Sequence, residues 1–499
     1  MNLGSQCFEW AFMHNPMRDV GGGSFPDCVH FLGVGGAGVS GLARVLATRG
    51  IRVSGHDRAT SAIFRALEEL GLSLTLGESR AEYLPPDAQL VVRSVAVPEV
   101  DPQVLAARDR GLPVLKYGDA LARVAPPGAT LAVAGTHGKT ISSWMLWHVL
   151  DGIGEALPAP VAGALIGGID QRLRTNALPG SEGGFFCVEA CEYDRTFLRL
   201  SPFGAIVTNV EEDHLDYYGD AASIRAAFAN FVTRVSSDGL ICLGRDVPEE
   251  VEHAAHAECW RLGREIDVQL VGETRGAFRM RLVGPGWATR PVQLSMPGHF
   301  NAGNAALAMA LAIGSQARRS QVDPRDLLEG AAVGIERFRG VARRFESWGR
   351  VDGVDLVHDY AHHPTEVRVT LEAGLRSFPG VPVHVFFQPH QHSRTARFLE
   401  DFAESLRGAA RVVVADVYGA RSHIDGECFA GSPELVTALK LRGVDASYGG
   451  SVQESVPHLV DGLPRRAAVL VFGAGDIEEA REELCDQVAR RASGGVPFR

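Results

Sequence analysis

Short runs of apolar, mostly β-branched residues recur along the chain, separated by longer stretches of helical periodicity. That alternation is the pattern of α/β domains built on largely parallel sheets. In a first block, Val29–Gly33, Ile51–Ser54 and Gln89–Arg93 read as strands and Ala62–Leu70 as a helix between them; Pro126-Pro127-Gly128 then breaks the pattern as a linker does. A second block opens with the strand Thr130–Ala134 and the helix Thr140–Leu150, and continues with strands at Phe185–Val188 and Ala205–Thr208. Its later part, 239–297, is richer in Gly, Pro and short strand-like pieces, and the helix Asn304–Gly314 closes it before a boundary near Gly334–Gly340. The third block carries strands at Leu356–Val357, Val383–Phe387, Arg411–Ala415 and Ala468–Phe472, with helices between. The expectation is an α/β protein of three domains, 28–127, 128–335 and 336–499, after a loose tail over 1–27.

Composition narrows the function classes. At 499 residues the chain is too long for one core. A formal net charge of −11 argues against a nucleic-acid partner, because phosphate binding normally requires a basic face. Eight cysteines without a CxxC pair suit reduced thiols better than disulfides or a zinc site. No apolar run reaches the about 18 residues a membrane helix needs. The first 27 residues lack the basic and apolar regions of a signal peptide, and Met13 and Met17 are alternative starts. The expected location is the cytoplasm. Lysine occurs only at Lys116, Lys139 and Lys440, against 46 arginines, since lysine and arginine together number 49. A chain that uses arginine almost everywhere a cation is wanted has kept lysine at 139.

That lysine lies in Gly135-Thr136-His137-Gly138-Lys139-Thr140, between an apolar strand and an apolar helix. Glycines let a loop turn tightly and present N–H groups to phosphate oxygens. The helix N-terminus adds its positive end, a lysine reaches the terminal phosphates, and a threonine hydroxyl can ligate Mg²⁺. The spacing GxxGKT is shorter than the usual GxxxxGKT. Two acidic clusters follow at strand ends, Glu189-Ala190-Cys191-Glu192-Tyr193-Asp194 and Asn209-Val210-Glu211-Glu212-Asp213-His214. Strand C-termini line the ligand crevice of a parallel sheet, so both belong beside the loop, where a carboxylate and an imidazole can hold Mg²⁺. Either cluster alone is as well explained as a solvated loop; two downstream of a phosphate loop are not. His148 and Trp144, on the helix after the loop, read as core.

An earlier loop, Gly33-Val34-Gly35-Gly36-Ala37-Gly38-Val39-Ser40-Gly41, also joins a strand to a helix, and Asp57 follows 19 residues after Gly38. GxGGxG is a weak signal that fits any diphosphate, in NAD or in a UDP-sugar.

Together these motifs resemble the Mur ligases, in the same order from about His30 to Leu484. The first glycine loop is similar to their UDP-binding loop, which implies substrate contacts at Gly35, Gly36, Gly38, Ser40 and Asp57. Gly135, Thr136, His137, Gly138, Lys139 and Thr140 look like their ATP loop. Thr140, Glu189 and His214 match the Mg²⁺ ligands. Asn301 and Asn304, in Pro297-Gly298-His299-Phe300-Asn301-Ala302-Gly303-Asn304, match an adenine-contacting turn. Arg344 and Asp359 match third-domain residues that bring an arginine to phosphate and an aspartate to ribose. Phe387-Gln388-Pro389-His390-Gln391-His392-Ser393-Arg394-Thr395 resembles the amino-acid-binding region of members that add L-alanine, with Arg394 on the carboxylate and His390 orienting the amine. The absence of lysine from Thr140 to Leu439 fits members that lack a carbamoylated lysine. Gln391, His358 and Ser422 depart from the family pattern, at positions where arginine, aspartate and glutamate are common.

The resemblance implies three α/β domains, N-terminal Rossmann-like and UDP-binding, central P-loop ATPase-like, and C-terminal Rossmann-like. It implies ATP as co-substrate, Mg²⁺, and ligation of L-alanine to UDP-N-acetylmuramate through an acyl phosphate. Catalytic roles fall to Lys139, Glu189, His214, Arg344, His390 and Arg394, with closure of the domains on their ligands, in a monomer or weak homodimer. Three rivals remain: a tripeptide-recycling ligase of the same family, an NAD-dependent oxidoreductase on the first glycine loop, and a non-catalytic nucleotide-sugar sensor. Without its motif Arg344 is more often a surface ion-pair partner, and His362 and His363 are equally well read as caps at a strand end.

Overall fold

The computed structural model describes residues 25–157, 159–274, 276–419 and 431–492. The alternative starts Met13 and Met17 and the departure at Ser422 lie outside them. Three principal sheets follow the three sequence blocks. The first comprises β1 (Cys28–Leu32), β2 (Arg52–Asp57), β3 (Ser73–Leu76), β4 (Leu90–Arg93) and β5 (Val114–Lys116), in the order β3-β2-β1-β4-β5. All neighbours run parallel. The strand order reverses direction beside β1, and the Gly33–Gly41 loop leaves β1 there, the usual place for a ligand crevice.

The second sheet holds β6 (Thr130–Ala134), β7 (Gly163–Leu165), β8 (Ala177–Leu178), β9 (Phe186–Glu189), β10 (Gly204–Val207), β11 (Leu240–Leu243) and β12 (Glu258–Arg261), in the order β12-β11-β10-β6-β9-β7-β8. All five residues of β6 are buried, as befits a central parallel strand covered on both faces. A smaller sheet is drawn from β13 (Asp267–Thr274), β14 (Ala277–Gly284), β15 (Trp287–Ala288) and β16 (Val292–Leu294). The third principal sheet holds β17 (Glu346–Val351), β18 (Val354–Asp359), β19 (Val383–Phe387), β20 (Arg411–Ala415), β21 (Ala446–Gly450) and β22 (Ala467–Phe472), ordered β17-β18-β22-β19-β20-β21. Only its edge strand β17 is antiparallel.

Several elements differ from the pattern reading in extent. The helix expected over Asn304–Gly314 runs His299–Ser320, and the strand expected at Leu356–Val357 runs Val354–Asp359. Both extensions add polar residues that the fold buries, among them Asn301, His358 and Asp359, and an apolar pattern cannot anticipate them. The first strand stops one residue early, at Leu32, because Gly33 turns the chain at φ +74°.

By compactness the chain forms two units. One takes the chain up to Gln269 with Met280–Val292 and Gly303–Arg339, and the other takes Leu270–Arg279, Gln293–Ala302 and Gly340 onward. Within the former, the first two sheets share one apolar core, in which Val29, Phe31 and Leu42 belong with Ala132, Val188 and Phe228. Polar contacts reinforce the join. Lys116 Nζ lies 3.2 Å from Asp194, and Asn176 Nδ2 donates to Ala37 O at 2.7 Å and to Ser40 Oγ at 3.0 Å.

The helix Lys139–Ala156 packs on Leu328–Arg337 with almost no space between backbones. A Cβ on Gly152 would stand 2.3 Å from Gly330 O, and one on Gly334 would stand 2.2 Å from His148 O. At Gly154, on the same helix as Gly152, a Cβ would meet Ala159 O at 3.9 Å, an ordinary contact. Gly334→Ala is therefore expected to destabilise the unit by about 1–3 kcal/mol through overpacking. Gly154→Ala, where the methyl makes only an ordinary contact and backbone freedom is reduced, should be neutral or stabilising. Thermal unfolding of the two variants side by side checks this; equal midpoints would show that the helices part without cost.

Candidate active site

The loop after β6 is fixed from β10. Thr136 N–H donates to Asn209 O at 3.1 Å and His137 N–H donates to Asn209 Oδ1 at 2.9 Å. Thr208 Oγ1 donates to His137 O at 2.6 Å, and Glu211 N–H donates to Thr136 Oγ1 at 2.8 Å. Gly135 and Gly138 hold φ +136° and +81°, conformations that favour glycine. A Cβ at Gly138 would also crowd the Asn304 amide at 3.1 Å, so Asn304 sits directly against the loop. The helix then begins at Lys139, and the first-turn amides of any helix lack intrahelical acceptors, which makes them anion donors.

Lys139 Nζ donates to Gly135 O at 2.6 Å and Thr136 O at 3.0 Å, and pairs with Glu192 at 2.9 Å. Burial alone would pull the lysine pKa down. The Glu192 carboxylate outweighs it and holds the ammonium above the ordinary lysine range. His214 Nε2 lies 3.6 Å from the same carboxylate and 3.7 Å from Asp213. His214 stands at φ 52°, and Asp194 and Arg195 at 52° and 53°, left-handed values that cost roughly 1–2 kcal/mol each outside glycine. Glu192 lies in the acidic motif, where the sequence pattern alone assigns it no role. Its near-complete burial against the loop lysine separates it from an ordinary solvated acid. Asn209 likewise carries no sequence signal beyond its neighbours, yet its side chain pins the loop.

Glu189 ends β9 and accepts from Thr140 Oγ1 at 3.0 Å through one oxygen and from Gly167 N–H at 2.7 Å through the other. Two hard oxygens 3.0 Å apart fit neighbouring corners of an octahedral Mg²⁺ site, where ligands at 2.0–2.1 Å lie about 2.9 Å from each other. The oxygen donors of Thr140 and Glu189 therefore suit Mg²⁺, while His214 lies against Glu192 and Asp213.

At the first glycine loop a cavity of about 470 Å³ opens, lined by Gly33, Gly35, Gly36, Asp57, Ser61 and Ser94 among others. Gly35 N–H donates to Asp57 Oδ2 at 2.8 Å, which fixes the loop to the end of β2. Gly38 faces elsewhere, since a Cβ there would meet the Tyr117 ring at 2.8 Å. Burial, and then the Glu189 charge, push the Tyr117 phenol well above the usual tyrosine range. Ser40 is fully buried and donates to Ala37 O at 2.8 Å. Of the five expected contacts, Gly35, Gly36 and Asp57 line this cavity; Gly38 and Ser40 shape the helix behind it.

In the second unit, Asp359 ends β18 and accepts from Phe345 N–H at 2.7 Å and Ala361 N–H at 2.9 Å. Burial pushes its carboxyl up to about 6, against the opposing pull of Arg344. The Arg344 guanidinium lies 5.1 Å from the Tyr360 ring centre and 3.5 Å from Glu366. His390 stacks on Tyr418 at 5.6 Å and meets the His362 ring edge-on at 5.6 Å. Arg394 is buried on the helix His392–Arg397, whose N-cap is Gln391 at φ 68°. His358 packs on Trp348 at 4.8 Å, and burial, then the Arg343 charge, lower its pKa to about 3, so it is a neutral ring at physiological pH. His363 accepts from Thr365 N–H at the start of the helix Pro364–Ser377, a capping role. Asn301 Nδ2 donates to Pro297 O at 2.6 Å. His148 and Trp144 are buried, as expected.

Three family descriptions match in sequence order: the Mur ligase family catalytic domain over residues 28–126, the Mur ligase middle domain over 133–312, and the Mur ligase glutamate ligase domain over 343–475. The UDP-N-acetylmuramate–L-alanine ligase of Kineococcus radiotolerans is 39% identical over 490 residues, 93% of this chain and 96% of its own. The ligase of the same name from Thermobifida fusca is 39% identical over 477 residues, 90% of this chain and 94% of its own. Among solved structures, the UDP-N-acetylmuramate-alanine ligase of Thermotoga maritima superposes with a TM-score of 0.74 at 26% identity, covering 94% of this chain and 99% of that one.

Asn209→Ala removes two side-chain hydrogen bonds from the phosphate loop, at 2.9 and 3.2 Å. At about 1 kcal/mol each, their loss should weaken nucleotide affinity roughly 10- to 30-fold. Calorimetric titration with ADP measures this; an affinity within twofold of the parent would mean that the backbone alone sets the loop.

Proposed function

The chain belongs to the Mur ligase family, and within it we propose that the protein is an ATP-dependent ligase joining L-alanine to the carboxylate of UDP-N-acetylmuramate, a step of peptidoglycan precursor synthesis. The observation that carries this reading is the convergence of Lys139, Thr140, Glu189 and Glu192 at one parallel-sheet edge, in a chain whose relatives of that activity match it almost end to end. The reaction transfers the γ-phosphoryl group of ATP to a carboxylate oxygen, releasing ADP. The L-alanine nitrogen then forms a bond to the acyl carbon as phosphate leaves and the amine loses a proton.

Both steps bring anions together, so positioning and charge neutralisation supply most of the catalysis. Lys139 and the helix amides stabilise the migrating phosphoryl group. Thr140, Glu189 and His214 are the residues to hold Mg²⁺, which would neutralise phosphate charge when bound. Gly35, Gly36 and Asp57 cradle the diphosphate of the sugar nucleotide, with Gly38 and Ser40 setting their helix. Asn301 and Asn304 meet adenine, Asp359 meets ribose, and Arg344 acts on the phosphates. Arg394 holds the L-alanine carboxylate and His390 orients its amine. Gln391 at the N-cap and the neutral His358 leave the amino-acid subsite less charged than the family pattern implies. Among the described residues no helix is long and apolar enough to cross a membrane. We place the enzyme in the cytoplasm, with its sugar-nucleotide substrate, as a monomer or weak homodimer.

Phosphate release from ATP and Mg²⁺ is expected only when UDP-N-acetylmuramate and L-alanine are both present. Lys139→Ala should lower it by at least about 10²-fold, the scale for losing one preorganised charge-stabilising donor. Release with the tripeptide L-Ala-γ-D-Glu-diaminopimelate in place of L-alanine would move the protein to the recycling branch, and silence with both would leave a sensor.

A further inference from the structure

The loop 166–176, between β7 and β8, touches both ligand sites. At its start, Gly167 N–H donates to Glu189 Oε2 at 2.7 Å, and Glu189 Oε1 accepts from Thr140. At its end, Asn176 donates to Ala37 O and Ser40 Oγ in the first turn of the helix that follows the sugar-nucleotide loop. Between these ends the loop is bolted to the helix that follows the phosphate loop. Trp144 Nε1 donates to Gly168 O at 2.7 Å, and His148 Nε2 pairs with Asp170 Oδ2 at 2.8 Å. Both side chains of that pair are completely buried. The second Asp170 oxygen accepts from the N–H groups of Arg172 and Leu173 at 2.9 and 2.8 Å, which folds the loop into a tight turn.

Burying an acid and a histidine is costly unless both are held in good geometry. The pair sits at the turn of the β7–β8 hairpin, where Ile166 N–H donates to Asn176 O and Asp170 N–H donates to Thr175 O, both at 3.0 Å. Its evident consequence is to hold Gly167 and Asn176 at a set separation, one against the Glu189 carboxylate and the other against the glycine-loop helix. We propose that Asp170, through His148, is a positioning residue that couples the Mg²⁺-binding carboxylate to the sugar-nucleotide loop. This rests on the ligase reading for the identity of the two ligands.

The test is calorimetric and independent of turnover. ADP is titrated with and without Mg²⁺, and UDP-N-acetylmuramate is titrated separately. In Asp170→Ala the Mg²⁺ concentration giving half-maximal tightening of ADP should rise about 10-fold or more, the usual cost of removing support behind a metal ligand. Affinity for UDP-N-acetylmuramate should fall by a similar factor, while ADP without Mg²⁺ binds as before. Asp170→Asn, which keeps the turn acceptor and a polar partner for His148, should restore both. Asn176→Ala should weaken only the sugar nucleotide. Should Asp170→Ala fail to fold, Trp144→Phe keeps the ring and removes the bond to Gly168, and should raise the Mg²⁺ requirement at least about threefold. Unchanged Mg²⁺ dependence and sugar-nucleotide affinity in a folded Asp170→Ala, or unchanged Mg²⁺ dependence in Trp144→Phe, would overturn the proposal. A parent protein that binds Mg-ADP but not UDP-N-acetylmuramate would instead overturn the ligase reading, and the Mg²⁺ arm would still decide the loop's role.

Discussion

β6 runs parallel between β9 and β10, with Val133 opposite Glu189 on one side and Ala134 opposite Val207 on the other. That register brings three loops to the same edge of the sheet: the phosphate loop, the acidic segment from Glu189, and the Thr208–His214 segment. Side chains separated by 49 and 53 residues therefore meet as neighbours, Thr140 with Glu189 and Lys139 with Glu192. A slip by one residue would turn Glu189 to the other face of the sheet and leave Thr140 without its partner.

Electrostatics follow from the same placement. A buried acid beside a buried lysine costs desolvation on both sides, and the two are retained together because each neutralises the other. The loop carbonyls of Gly135 and Thr136 take the remaining ammonium donors. Phosphate oxygens bound as proposed would compete for the same ammonium, so nucleotide binding would replace partners that Lys139 already has rather than recruit a free cation. The left-handed backbone at Asp194, Arg195 and His214 borders this cluster, and Lys116 ties Asp194 to the end of β5. Strain there is held by packing between the first two sheets.

The departures from the family pattern divide by chemistry. His358, where the resemblance implies an acid, is a ring that burial keeps neutral, packed on Trp348, so no charge stands at that position. Gln391 caps a short helix through its backbone, with Thr395 N–H and Oγ1 both donating to Gln391 O, a role that does not require arginine. Neither touches the phosphate loop's own hydrogen bonds.

The alternation of apolar runs with helical stretches, and the glycines before Lys139 and around Gly35, were enough to place the sheets, the phosphate loop and the family. Such signals are local: a parallel strand must be apolar, and a phosphate loop must have glycine where φ is positive. The acidic clusters that contain Glu189 and His214 stand out in the sequence because they follow apolar strands whose edges collect ligands; Glu189 ends β9, while His214 lies seven residues beyond the end of β10. Glu192 as the partner of Lys139, Asn209 as the pin of the loop, and Asp170 with His148 as the brace behind Glu189 were not legible there. An acid that pairs with a buried lysine and one that faces water read the same in a sequence. Which of them loses its hydration is settled by distant segments closing over it, and those contacts exist only once the sheet has formed.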